Sequence, residues 1–328
     1  MHFTESIVYN SYILCAREVD RIERSHYWKF VEKVREPENQ EKTIAYLCEH
    51  LEKFLRRGER VLICFPCRAP GSLSDVFERA VQRCGAVPVV WSDYLWKTLL
   101  REAFTNKVTT IIGPPLILLG LMKLTRYNAT PLFVRKVITA GYPCPEWMIE
   151  GLVQGFDCEV GGCFGLEHSG VVAGFACGES WGVHLWDEMY GVDILDDAGN
   201  SLPEGWQGQI VLYSKENPEL RLPIGDTAYL TTEVCRCGST APRLMNMCYG
   251  GLRDADLHAL AHHLMSWTSI LDCNVKKGEL GLEIEIVCFQ GEKLPKLPTA
   301  AKLIVRQWDP ASDTPLMHAS SLKILETM

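Results

Sequence analysis

Two groups of side chains in this sequence could do chemistry. The first is the pair Glu167–His168, inside "GGCFGLEHSGVVAGFAC" (161–177). Glycines and an aromatic there suit a loop on which a nucleotide could lie. An acid beside an imidazole, with thiols nearby, could also move protons. The second group is a set of soft ligands. Cys177 and His184 are separated by six residues in "CGESWGVH", and Cys235 and Cys237 form "CRCG". Two such pairs could meet around one zinc ion, which favours four tetrahedral sulfur and nitrogen ligands, and a closed site of that kind is structural. Gly238 suits the tight loop that turns two thiolates toward one metal. Cys-x-Cys is less diagnostic than Cys-x-x-Cys, so four unrelated thiols and a surface histidine are the competing reading. His168, Cys158 and Cys163 are rival ligands by proximity in sequence.

The elements that must position these residues fall into three stretches. Residues 1–59 are charged and read as helical; "EKTIAYLCEHLEKFLRR" (41–57) places Ile44, Leu47, Leu51, Phe54 and Leu55 on one face, with Gly58 as its stop. From residue 60 the period changes. "RVLICFP" (60–66), "AVPVVW" (86–91), "VTTIIG" (108–113) and "VRKVITAG" (134–141) are short apolar runs of the kind buried parallel strands show. Between them "SLSDVFERAVQRCG" (72–85) reads as a helix with a Ser cap and a closing Gly85. "YLWKTLLREAF" (94–104), "LILLGLMKL" (116–124) and "PEWMIEGLVQGF" (145–156) also read as helices, the last two preceded or opened by proline. This alternation predicts an α/β fold with a mainly parallel sheet core flanked by helices. "YGVDILDDAGNSLPEGWQGQIVLYS" (190–214) has the turn chemistry of an antiparallel hairpin. It predicts a β-hairpin subdomain carrying the zinc site, within a unit of residues 60–249. Residues 250–328 read as a small C-terminal α+β domain, with a helix at 254–267 and strands at 281–289 and 301–308.

Composition narrows the function classes. The 328-residue chain carries a net charge of −8 and is 47% hydrophobic, as a globular protein is. The negative total and the lack of a basic tract argue against nucleic acid as a partner. The most apolar stretch, "IIGPPLILLGLM" (111–122), is too short to span a membrane and contains Pro114 and Pro115. The N-terminus lacks the pattern of a secretory signal, so the cytoplasm is the default location. Fourteen cysteines are scattered rather than framed as a disulfide scaffold, and most read as buried thiols.

Six stretches in order resemble the phenylacetate-CoA ligase branch of the AMP-forming (adenylate-forming) superfamily. They are "RGERVLICFPCRAPGSLSDVFERAVQRCGAVPVV", "VITAGYPCPEWM", "FGLEHSG" against Y/F-G-x-T-E-x-G, "VDILDDAGNSLPEGWQGQIVLYS", "PELRLPIGD" against P-L-I-R-Y-R-T-G-D, and "VCRCGSTAPRL" against C-x-C-G-x-x-x-x-R. The resemblance covers roughly residues 58–250. That branch also has the Cys-x6-His and Cys-x-Cys set, which implies structural zinc held by Cys177, His184, Cys235 and Cys237. The reaction implied is an acyl-CoA synthesis: a carboxylate attacks Mg-ATP to give an acyl-adenylate, and coenzyme A then displaces AMP.

The resemblance is uneven across the chemical parts. Phe164, followed by Gly165, matches the aromatic that stacks on adenine, and Asp226 matches the acid that accepts from ribose hydroxyls. Tyr142 stands where the adenine-contacting Glu would be. Glu167 and His168 occupy the Thr and Glu positions. Imidazole is a poor Mg²⁺ ligand, so Mg is doubtful while AMP or ATP binding stays open. Arg221 is retained, but the second Arg is Pro223. No glycine precedes Gly58 in the region of the phosphate loop, so the backbone nest for phosphate is lacking. Gly251 replaces the hinge Arg, and Lys323 lacks the context of the family's catalytic Lys. The losses fall on the chemistry, which implies a shortened, divergent homologue that leans non-catalytic. Its expected partners are a nucleotide, a small carboxylic acid, a protein or a second copy of itself. The alternatives are an active ligase of an aryl or small acid, and a zinc-stabilised binding protein without nucleotide.

Overall fold

The computed structural model describes residues 21–91, 93–248, 255–278, 281–294, 301–311 and 314. The first 20 residues, Gly251 and Lys323 lie outside the described residues. Two helices, α1 (Arg21–Val34) and α2 (Pro37–Leu51), come first. A strand–helix alternation follows: β1 (Arg60–Ile63), α3 (Leu73–Arg83), β2 (Val87–Val90), α4 (Trp96–Thr105), β3 (Thr110–Gly113), α5 (Pro115–Tyr127), β4 (Lys136–Ala140), α6 (Glu146–Phe156) and β5 (Glu159–Leu166). Then come β6 (Val171–Phe175), β7 (Val183–Leu185), β8 (Tyr190–Leu195), β9 (Gly208–Ser214), β10 (Arg221–Thr231) and β11 (Arg243–Cys248). Last are α7 (Ala255–Ser266), β12 (Ile270–Gly278), β13 (Gly281–Cys288) and β14 (Lys302–Gln307).

Strands β1 to β11 make one eleven-stranded sheet in the order β2-β1-β3-β4-β5-β6-β7-β11-β10-β9-β8. The pairs from β2 to β5 are parallel and those from β5 to β8 antiparallel. The sheet is therefore mixed, which corrects the mainly parallel expectation. The predicted hairpin of residues 190–214 does form, as β8 and β9, but it is the outer end of this sheet rather than a subdomain. Strands β12, β13 and β14 make a separate three-stranded sheet.

Period-two alternation decides which face each residue serves. Leu62, Ile111 and Val137 point to one face, with helices α4, α5 and α6. Val61, Ile63, Ile112 and Ile138 point to the other, with α2 and α3. The three-stranded sheet adds Ile270, Leu271, Ile284 and Ile286 to the first of these cores. A third core lies over the antiparallel half, where Phe30 and Val34 of α1 join Phe164, Tyr190, Leu212 and Leu222. Two local readings need revision. The helix expected over 41–57 stops at Leu51. Beyond it the chain turns onto Gly58, which has φ +77 and donates its N–H to Gly85 O at 2.8 Å. Ser72 stands at the N-cap of α3 but makes no side-chain cap; its hydroxyl donates to Cys67 O at 3.2 Å.

Candidate functional site

Glu167 and His168 sit in the turn from β5 to β6, at the end of the parallel strands. Both are buried, at 6% and 8% exposure. The turn is held against the loop that follows β1. Cys67 N–H donates to Glu167 Oε1 at 2.8 Å, and Leu73 N–H donates to Glu167 O at 2.9 Å. Gly170, at φ +72, lies so close that a Cβ there would stand 2.0 Å from Gly71 O. From the other side Arg35, between α1 and α2, donates through Nη2 to His168 O at 2.7 Å. Burial pushes the Glu167 carboxyl up to about 7, with the Cys67 N–H pulling the opposite way. Burial first, and the Arg35 charge second, press His168 down to about 4. Each group is thus biased toward its neutral form, and their main-chain atoms zip two loops together.

The other expected nucleotide contacts lie on or beside β4, β5 and β10. Phe164 is buried in the third core with Phe30 and Val34 of α1. Gly165 approaches Val171 O so closely that a Cβ would meet it at 2.6 Å. Tyr142 follows β4, after Gly141 at φ +86. Asp226 lies in β10 at a bulge between Pro223 and Thr227, which also explains how Pro223 is tolerated inside a paired strand. Arg221 opens β10, where its guanidinium pairs with Asp193 and lies over the Tyr213 ring. Glu167 and His168 are brought together with Arg35 and the 67–73 loop, whereas Arg221 is committed to β8 and β9.

The soft ligands converge. Cys177 follows β6, His184 lies in β7, and Cys235 and Cys237 lie in the turn from β10 to β11. Their donor atoms all fall within 4.8 Å of one another. Cys177 Sγ is 3.6 Å from Cys235 Sγ, and Cys237 Sγ is 3.5 Å from His184 Nε2. Those separations match the edges of a tetrahedron about 2.3 Å in radius for sulfur. His184 Nδ1 lies 3.3 Å from Ala241 O, a contact that holds the ring with Nε2 toward the thiols. Gly238, at φ +86, donates to Cys235 O at 2.9 Å and closes the turn that carries both Cys235 and Cys237. Arg243 ties the two ligand loops, donating to Trp181 O at 3.0 Å and Glu233 O at 3.3 Å. This cluster could hold a metal ion; the rivals Cys158, Cys163 and His168 are not part of it.

The sequence is 39% identical over 70 residues to phenylacetate-coenzyme A ligase of Thermus thermophilus, a match that covers 20% of this chain and only 16% of that protein. No family model matches. Among solved structures, a 2-hydroxyisobutyryl-CoA ligase in the postadenylation state aligns with TM-score 0.63 and 15% identity, over 88% of this chain and 73% of that one. A benzoate-CoA ligase from Burkholderia xenovorans aligns with TM-score 0.52 and 14% identity, over 86% and 65%. An anthranilate-CoA ligase in complex with anthranoyl-AMP gives the same TM-score and identity, over 86% and 63%. The chain thus has the fold of these CoA ligases, and a 70-residue stretch of it is similar in sequence to phenylacetate-coenzyme A ligase. In this ligase-like chain the turn that bears Glu167 and His168 is packed against its own backbone. Arg35 and Cys67, missed in the sequence, are what pack it. No local motif marks either: Arg35 is 133 positions from His168 and Cys67 acts through its N–H. Among the described residues no helix is long and apolar enough to cross a membrane.

Proposed function

We propose that this chain keeps the ligase fold, has lost adenylation, and serves as a zinc-stabilised binding protein. The observation that carries the reading is the sealed Glu167–His168 turn, pinned by Cys67, Leu73 and Arg35. Adenylation needs room for a triphosphate and its Mg²⁺, with charged donors free to stabilise the transition state. Here Arg221 is engaged by Asp193, and Glu167 is spent on a backbone N–H. ATP–pyrophosphate exchange with phenylacetate, benzoate, anthranilate and 2-hydroxyisobutyrate tests the reading directly. No exchange above background is expected; clear exchange with any acid refutes it.

A second reading, an active ligase of an aryl or small acid, is favoured by the sequence match to phenylacetate-CoA ligase. On that reading Phe164, Gly165, Tyr142 and Asp226 hold AMP, and millimolar AMP raises the melting temperature. On the reading preferred here it does not, because Phe164 is already packed under α1. Cys177, His184, Cys235 and Cys237 hold one structural Zn²⁺ in either case. A thiol-rich zinc protein of this kind suits the reducing cytoplasm, with a protein or a second copy of itself as partner.

A further inference from the structure

Helix α5 is apolar nearly all round. Residues Ile117–Thr125 are all buried, and they include a lysine, Lys123. A helix of that character needs cover on both sides. On one side lies the eleven-stranded sheet, through Ile111 and Val137, and on the other the three-stranded sheet, through Ile270 and Leu271. Gly120, Lys123 and Tyr127 form the stripe, at helical spacing, that meets the C-terminal unit. A Cβ on Gly120 would stand 2.3 Å from the Trp96 ring and 3.1 Å from Leu271 O, so β12 rests directly on the helix backbone. Trp96 in turn donates through Nε1 to the buried Asp272 at 3.2 Å. Tyr127 stacks on Phe289 with ring centroids 4.3 Å apart.

Lys123 makes the strongest of these ties. Its Nζ donates to Met265 O at 2.5 Å, Trp267 O at 3.0 Å and Ile270 O at 2.8 Å. Two of those carbonyls lie at the C-terminal end of α7, where a cation completes groups that the helix leaves unpaired. Three acceptors use all three N–H bonds of an ammonium, whereas a neutral amine has two. Burial opposes the charge and pulls Lys123 down to about 7, while Asp272 of β12 supports it. Withdrawing the C-terminal unit would strand the α7 carbonyls and bare the apolar face of α5.

We propose that Lys123 fastens the three-stranded sheet to α5 as a permanent layer of the core, so that this unit does not open away from α5 as a separate body. Native-state hydrogen exchange on the full chain tests it. The amides of β12 and β13 are expected to exchange within about tenfold of those of β3 and β4, since one cooperative body opens as one. Exchange of β12, β13 and α5 more than about a hundredfold faster than β3 and β4 would overturn the proposal. In Lys123→Ala, peptides from α7 to β13 should lose protection at least about tenfold before the rest of the chain does. Unchanged protection there would remove Lys123 from the role. If Lys123→Ala does not fold, the wild-type comparison decides alone.

Discussion

Glu167 and His168 are adjacent but titrate in opposite senses, and the difference can be read in stability. Glu167 has its proton held up to about 7 in the folded chain against an ordinary 4.5. The folded state binds the extra proton, so this group's contribution is present below pH 4.5 and is lost as pH rises through 7. His168 falls to about 4 from an ordinary 6.5, so the unfolded state binds the extra proton and stability is lost as pH falls from 6.5 toward 4. Between about pH 4.5 and 6.5 the two slopes offset each other. Glu167→Gln keeps an acceptor for the Cys67 N–H and removes the charge. At pH 8 that should stabilise the chain by up to about 3 kcal/mol, a rise of a few degrees in melting temperature. At pH 4.5, where Glu167 is already neutral, the gain should vanish. Thermal melts of both proteins across that range check it; a gain of equal size at both ends would assign Glu167 to ordinary packing instead.

The β5–β6 turn shows what one element can demand of its residues. Gly170 is left-handed, and a Cβ there would meet Gly71 O at 2.0 Å. Gly170→Ala should therefore cost more than about 2 kcal/mol, through strain and separation of the two loops. Urea unfolding measures it, with Gly199→Ala as a control, since Gly199 has a similar φ of +83 but nothing within 4 Å. A cost no greater than the control's would mean that the loops part easily. This turn also marks where sequence reasoning stopped. The four parallel strands before β5 were legible because short all-apolar runs alternate with helices, and β8 and β9 because Asp, Gly and Pro mark their turn. Strands β6, β7 and β11 carry no such punctuation: β7 is three residues long and forms only through its neighbours. The convergence of Cys177, His184, Cys235 and Cys237 was open on spacing alone and was implied by the family resemblance; the structure brings their donor atoms within 4.8 Å of one another. The closure of the Glu167 turn was not, because Arg35 reaches it from a distant helix junction.

On the scale of the whole molecule, the sheet has one narrow joint. Strand β7 pairs with β6 through Gly174–Leu185 and Phe175–His184, and with β11 through Arg243–His184 and Leu244–Val183. The hydrogen-bonding path across the sheet from β1–β6 to β8–β11 runs through those four residue pairs. One core nevertheless crosses this joint, where Phe164 of β5 and Val171 and Ala173 of β6 pack with Tyr190 of β8 and Leu212 of β9. Cys177 and His184 lie on the β6–β7 side of this joint and Cys235 and Cys237 on the β10–β11 side. A metal ion there would staple the halves. Structural zinc sites contribute folding free energy outright, by an amount that depends on keeping all four donors. The purified chain should therefore carry about one zinc per molecule and melt in one calorimetric transition. After chelation, or in Cys235→Ser, the melting temperature should fall by several degrees. The third core, which crosses the joint, and Tyr46 stacked on Trp186 at 4.3 Å should keep the halves cooperative, so the transition should stay single. A metal-free chain that melts at the same temperature would show that the four donors are ordinary thiols and a histidine.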